Sequence, residues 1–284
     1  MARVEHPLTP IQTGGVDWAA HWRRMVEERA AVEGARTPPS ANRWDGRAQR
    51  FARLTQSLDP SSDPFVLAVK AAVKPTDSVL DVGAGAGRYA FAIAPLVAQV
   101  TAVEPSGGMR AAFEQEAKAR GLDNVRLVPG SWDEAQVEPH DVAFVANVLY
   151  FVPDAIPFVE KLDRSGTRAC FIFHRVEELA TALGPLGVEI RGRRPPEASF
   201  IELYNLLFSM GIRPDVTLVR PPFSARYGSM DEGVEEAHQF LDIPADDRSQ
   251  DDRIRGVLSE VLVERDGQLG FARSPQMAIL SWEK

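Results

Sequence analysis

At 284 residues the chain can hold one large α/β domain, or one such domain with sizeable additions. Hydrophobic residues make up 44% and charged ones 25%, as in ordinary globular proteins, and the net charge of −8 disfavours general nucleic-acid binding, which draws on Lys and Arg against phosphates. A single Cys170 excludes an internal disulfide, the first residues lack a signal-peptide core and the longest apolar run, Val142 to Val152, is too short for a bilayer, so a cytoplasmic protein with no membrane partner is expected.

Residues 1–16 carry Pro7, Pro10 and two glycines and read as a loose tail. Asp17 is placed to cap a helix whose Trp18, Trp22, Met25 and Val26 share one face, and Pro38-Pro39 ends it. Trp44, Ala48, Phe51 and Leu54 predict a second helix over 43–57. Residues 17–58 hold eight Arg against five acids, a local net of +3, which solvated helix faces explain. Asp63 opens a helix to Val73, and Pro75-Thr76-Asp77 turns the chain into Val79 to Val82, a short buried strand. Gly83, Gly85 and Gly87 follow at alternate positions, and Tyr89 to Ala94 resumes as a helix. Val100 to Val103 is the next strand, and it ends in Glu104.

A strand, a glycine turn and a helix form the nucleotide-binding corner of a doubly wound sheet. Dinucleotide folds favour G-x-G-x-x-G, whereas here the spacing is G-x-G-x-G and the next residue is the bulky Arg88. Asp81 precedes the first glycine by two positions; its carboxylate would repel a pyrophosphate and hold a cationic amino group. Glu104 stands where an acid can accept both hydroxyls of a ribose. Asp81, the G-x-G-x-G turn and Glu104 together resemble the class I S-adenosylmethionine (SAM) dependent methyltransferases. The resemblance is strongest over Val79 to Pro105 and implies that SAM rests against Asp81, Gly83, Ala84, Gly85, Glu104, Pro105, Met109, Ser131, Trp132 and Asn147.

Beyond Glu104, Ser106 to Arg120 reads as a helix with Met109, Ala112, Phe113 and Ala117 inward, and Val125 to Val128 as a third strand. Ser131 takes the position where the resembled enzymes often carry an acid beside the adenine, and Trp132 either stacks on that ring or packs in the interior. Asp141 to Ala146 is a fully apolar fourth strand, followed by Asn147 and Tyr150, and Pro153 to Leu162 is a short helix. Thr167 to Phe173 is a fifth strand with His174 at its carboxyl end, where doubly wound sheets bind ligands; His140 lies at the opposite end and reads as structural. Residues 184–198 read as a loop, Phe200 to Met210 as a helix, Val216 to Val219 as a sixth strand and Gln276 to Trp282 as the last. About 55 residues separate those last two strands, with helices expected at Met230 to Leu241 and Asp251 to Glu264. Nine acids and one Arg in 231–252 give that segment a net of −8, again the pattern of a solvated face.

The expected architecture is α/β: a doubly wound, seven-stranded, mostly parallel sheet with the last strand antiparallel and helices on both faces. Residues 1–62 form an N-terminal tail and helical cover, 63–223 the SAM-binding Rossmann-like core, 224–268 a helical insertion serving as lid or interaction surface, and 269–284 the last core strand. The implied activity is in-line methyl transfer to a small-molecule acceptor, with His174 and Tyr150 as the groups able to take a proton. An NAD(P)-dependent oxidoreductase and a non-catalytic SAM-binding regulator are the alternatives. No cysteine or histidine cluster signals a metal, and the acceptor is not legible.

Overall fold

The structure is a computed structural model. It describes residues 15–32, 44, 45, 48, 51, 52, 59–176, 184–192, 196–222, 226–241, 243, 244, 246–265, 267–272 and 274–284. The expected tail therefore lies outside the described residues except for its last two. The expected helix over 43–57 is seen only at residues 44, 45, 48, 51 and 52, all helical.

Helix α1 (Trp18–Val32) leads, with Trp22 and Val26 buried. Helix α2 (Pro64–Ala72) starts where Asp63 Oδ1 accepts from the Phe65 and Val66 N–H groups, and Pro64 occupies a first-turn position that needs no donor. Then come β1 (Ser78–Val82), α3 (Ala90–Ile93) continued by a 3₁₀ turn, β2 (Gln99–Glu104), α4 (Gly107–Ala119), β3 (Val125–Pro129) and β4 (His140–Ala146). A 3₁₀ turn at Leu149–Phe151 precedes α5 (Ala155–Ser165) and β5 (Gly166–Arg175). Next are α6 (Gly184–Arg191), α7 (Phe200–Ser209), β6 (Asp215–Val219) and β7 (Arg226–Tyr227). The chain finishes with α8 (Met230–Leu241), α9 (Asp251–Val261), β8 (Leu262–Arg265), β9 (Gln268–Phe271) and β10 (Met277–Glu283).

Seven strands form one sheet in the order β3-β2-β1-β4-β5-β10-β6. β1 pairs in parallel with β2 and β4, β2 with β3, and β4 with β5; β10 runs antiparallel between β5 and β6. This is the doubly wound sheet expected, with the last strand inserted second from the edge.

Side chains alternate across a strand, and here the alternation sorts the core into two layers. Val79, Val100, Val142, Phe144, Phe171, Phe173 and Ile279 face α2, α3 and α4. Leu80, Val82, Val145, Ile172 and Leu280 face α1, α5 and α7. The same parity puts Asp81 and Glu104 on the α2–α4 face and His174 on the α1/α5/α7 face.

The insertion departs from the expectation in two ways. Besides its two helices it contains a small antiparallel sheet, β7-β9-β8, and α9 stops at Val261, where residues expected as helix become β8. It also recruits residues read as loop: α6 is helical and buries Leu186 among Tyr227, Val234, Ala237, Ile254 and Leu258. Gly184, Pro185 and Gly187 obscure that helix in the sequence; its stability comes from packing against the insertion. The lobe leaves the sheet after β6 and returns at Met277, which pairs with Arg175 and Val219, so both of its ends meet the carboxyl edge of the parallel strands. Among the described residues no helix is long and apolar enough to cross a membrane.

Candidate active site

The turn after β1 is held in shape from both sides. The N–H groups of Gly83 and Ala84 donate to Val103 O at 2.8 and 3.1 Å, tying the turn to β2. Gly83 has φ +73°, and a Cβ there would lie 2.4 Å from Val148. Gly87 has φ +89°, and a Cβ would lie 2.3 Å from the Phe91 ring. Only glycine satisfies both the conformation and the space. Gly85 differs: its φ is +57°, yet a Cβ would meet nothing within 4 Å. That open space is the cradle.

Two buried carboxyls floor it. Asp81 is 2% exposed, and its Oδ2 has no hydrogen-bond partner. Burial, with a smaller push from Glu104, raises its pKa to about 8, so with no cation beside it Asp81 is largely protonated at neutral pH. Glu104 is 5% exposed, and burial raises its pKa too, although its oxygens each accept one backbone N–H at 2.8 Å, from Gly85 and Ser106. A carboxylate has about four lone-pair sites, so Glu104 keeps room for two further donors.

At the end of β4 the chain turns through Asn147, whose φ of +61° is the positive value of a non-glycine among the described residues. Asn147 is exposed; its N–H donates to Phe173 O at 3.0 Å, and its Oδ1 accepts from Tyr150 Oη at 2.7 Å. Tyr150 is stacked on His174, centroids 4.4 Å apart, and carries the Arg175 guanidinium 4.0 Å above its ring. Arg175 and Arg29 both reach Glu197 Oε1, at 2.5 and 3.0 Å. His174 is fully buried, donates from Nε2 to Ala198 O at 3.0 Å, and is pushed down to about 3 by desolvation. Burial raises the Tyr150 pKa against the opposing effect of Arg175. Both rings are uncharged at neutral pH.

Two leading segments cover this edge. From α1, Trp22 Nε1 donates to Val152 O at 2.8 Å and Arg23 pairs with Asp154. From the second segment, Asp45 Oδ1 accepts from Ser106 Oγ at 2.6 Å and from Gly108 N–H at 2.8 Å, while Trp44 meets Phe151 edge-on at 5.2 Å.

Residues 79–165 match the family model described as a methyltransferase domain. That match runs from β1 to the end of α5, so this segment is similar to a methyltransferase domain. A relative in sequence, the protein-L-isoaspartate O-methyltransferase of Roseiflexus castenholzii, is 27% identical over 147 residues, a match spanning 50% of this chain and 66% of the relative. In structure, the YcgJ protein of Bacillus subtilis aligns with a TM-score of 0.54 at 18% identity, covering 77% of this chain and 96% of that one. The [4+2]-cyclase SpnF aligns with a TM-score of 0.50 at 17% identity, covering 82% and 80%. Identities this low establish a shared fold and nothing finer.

Within the matched segment, Asp81, Gly83, Ala84, Gly85, Glu104 and Pro105 gather around one turn. Met109 lies one helical turn further, its side chain buried with Ala48 and Ala86 under the covering segment. Ser131 donates from Oγ to Glu134 Oε2 at 2.7 Å, an exposed pair at the start of the turn after β3. Trp132 is buried: Nε1 donates to Phe158 O at 3.1 Å, and Lys161 Nζ lies 4.4 Å above its ring. Asn147 and Tyr150 stand together, and His174 stacks on the Tyr150 ring. His140, read as structural, is buried with Nε2 2.8 Å from Thr101 Oγ1. Sequence reasoning gave no role to Asp45 or Glu197, whose partners lie far along the chain. The residues fit an adenosyl cofactor bearing an amino group: a buried acid with one oxygen unpartnered, an acid with spare lone pairs, and an open glycine turn.

Proposed function

We propose that this chain is a SAM-dependent methyltransferase acting on a small-molecule acceptor. The observation that carries the reading is Asp81 Oδ2, buried without a partner beneath the glycine turn and on the same face as Glu104. An unpaired buried acceptor is costly, and a cationic ligand group relieves it. When bound, SAM supplies a methyl group made electrophilic by its sulfonium. Asp81 then binds the amino group, Glu104 the ribose hydroxyls, and Gly83 to Gly85 give the ligand a close backbone surface. Pro105, Met109, Ser131 and Trp132 shape the adenosine end, and Asn147 closes the methionine end.

On the acceptor side, Asn147 is held rigid by Tyr150, which His174 and Arg175 hold in turn. Holding one acceptor atom in line and excluding water is the larger part of what a methyltransferase has to do. His174 and Tyr150 remain the groups nearest to take a proton. A histidine pushed down to about 3 is a weak base, which favours an acceptor nucleophilic without one, such as a carboxylate. The α1 helix and the Trp44-Asp45 segment enclose the edge, and the 224–268 lobe, rooted at that edge, supplies the remaining roof. An enclosed site suits a small acceptor.

The SpnF likeness shows why fold alone does not choose the chemistry. Incubation with SAM labelled in the methyl group, offered small carboxylic acids in one vessel and an isoaspartyl peptide in another, tests the reading. Label in a small molecule supports it. Label only in the peptide moves the acceptor to protein, and tight binding without turnover in either vessel makes the chain a SAM-binding regulator.

A further inference from the structure

Buried polar atoms without partners are few among the described residues, and they are not scattered. Apart from three imidazole nitrogens and the Trp18 indole, they are Asp63 Oδ2, Asp81 Oδ2 and Arg88 Nε. All three side chains lie around Tyr89, two residues past the last glycine of the turn. Tyr89, packed 5.0 Å from Phe65 and 6.5 Å from Phe144, feels the charge of each of them.

Arg88 follows Gly87, whose left-handed backbone admits no side chain, so its starting direction is fixed. Its guanidinium carbon sits 5.5 Å from the Tyr89 ring centre, and Nη2 is 3.7 Å from Asp63 Oδ2. That separation gives Coulomb attraction without a hydrogen bond. Asp63 has already committed Oδ1 to two N–H groups at the start of α2. Asp63 therefore anchors Arg88 from behind while leaving part of its donor fork unspent. The side chain is 28% exposed, so that fork is open to a ligand. A guanidinium fork matches a carboxylate in shape and charge.

We propose that Arg88 receives the carboxylate of the cofactor's amino-acid end, opposite Asp81, which receives its ammonium, with Asp63 as the residue that positions Arg88. The proposal rests on the cofactor reading above and goes beyond it. It makes the turn a reader of a zwitterion, able to tell an adenosyl amino acid from an adenosyl amine.

The test is isothermal titration of the full chain with two ligands: S-adenosylhomocysteine, and its decarboxylated analogue, which keeps adenosine, thioether and amine. The wild-type chain prefers S-adenosylhomocysteine, and Arg88→Met weakens it by about 10- to 100-fold, the range of a charge-assisted pair, while the analogue changes by less than about twofold. Arg88→Lys recovers part of the loss. Asp63→Asn keeps the helix cap but narrows the preference for the carboxylate-bearing ligand. Should Arg88→Met fail to fold, Arg88→Gln replaces it with the same expected split. Equal losses for both ligands would overturn the proposal and return Arg88 to a structural role. If the wild-type chain binds neither ligand, the cofactor reading itself falls, and this inference with it.

Discussion

Asp81 owes its proton affinity to burial, and that makes cofactor binding and folding respond to pH in opposite senses. Its folded pKa is raised from 3.8 to about 8, so between those values the folded chain binds more protons than the unfolded one. Stability of the ligand-free protein therefore falls as pH rises through that window. Asp81→Asn removes the burden and is expected to raise the melting temperature at pH 8 while weakening S-adenosylhomocysteine, a trade of function for stability. Because the ammonium must meet an ionised Asp81, binding at pH 6 to 7 releases one proton, and affinity drops about tenfold per pH unit below pH 7. Calorimetry in buffers of different ionisation heat reads both effects; pH-independent affinity would contradict the assignment. His174 behaves otherwise. Pushed down to about 3, it stays neutral across pH 5 to 9, so at saturating cofactor the pH profile of methyl transfer has no limb near 6.5. A limb there that vanishes in His174→Ala would show that the ring leaves Ala198 during turnover.

Elements, more than single residues, bring the site together, and they differ in how legible they are. β1, β2, β4 and β5 are short apolar runs between turn residues, so their presence was legible with ends one or two residues off, as was the glycine turn between Asp81 and Arg88. What alternation does not reveal at first sight is which face a residue takes. His174 was visible at the carboxyl end of β5, but not its enclosure by Trp22, Tyr150 and Ala198, which arrive from α1, the turn after β4 and the segment before α7. Three short strands in the insertion were also missed: β7 has two residues and pairs with β9 some forty positions later, a signal too brief and too distant for periodicity. Asp45 is the same kind of case, meeting Ser106 and Gly108 across more than sixty residues. Both donors hold its carboxyl below the usual range, so it is ionised at neutral pH and latches the covering segment onto the start of α4. Asp45→Ala is expected to speed S-adenosylhomocysteine release several-fold, with little change in association, as measured by stopped-flow fluorescence. An unchanged release rate would mean the segment covers nothing that the ligand must pass.

At the scale of the molecule, a cofactor-binding sheet carries a lobe with a core of its own. Leu258 is fully buried in that core with Ile254, Val234 and Tyr227. Leu258→Ala costs about 2–5 kcal/mol by the loss of packing and the cavity left behind. The cost falls on the lobe, so hydrogen exchange quickens in 226–271 while S-adenosylhomocysteine affinity holds within about twofold. Loss of cofactor binding in this variant would tie the lobe to the cradle instead of the acceptor. The central claim, that the turn after β1 and the acid after β2 form a SAM site, is tested most directly by titrating the full chain with S-adenosylhomocysteine and with NAD, before and after Glu104→Ala. The wild-type chain binds S-adenosylhomocysteine and not NAD, and Glu104→Ala weakens that binding by at least about tenfold with its melting curve intact, since each hydrogen bond to a charged group is worth about 1.5–3 kcal/mol. Preference for NAD, or equal S-adenosylhomocysteine affinity in the folded Glu104→Ala protein, would contradict it.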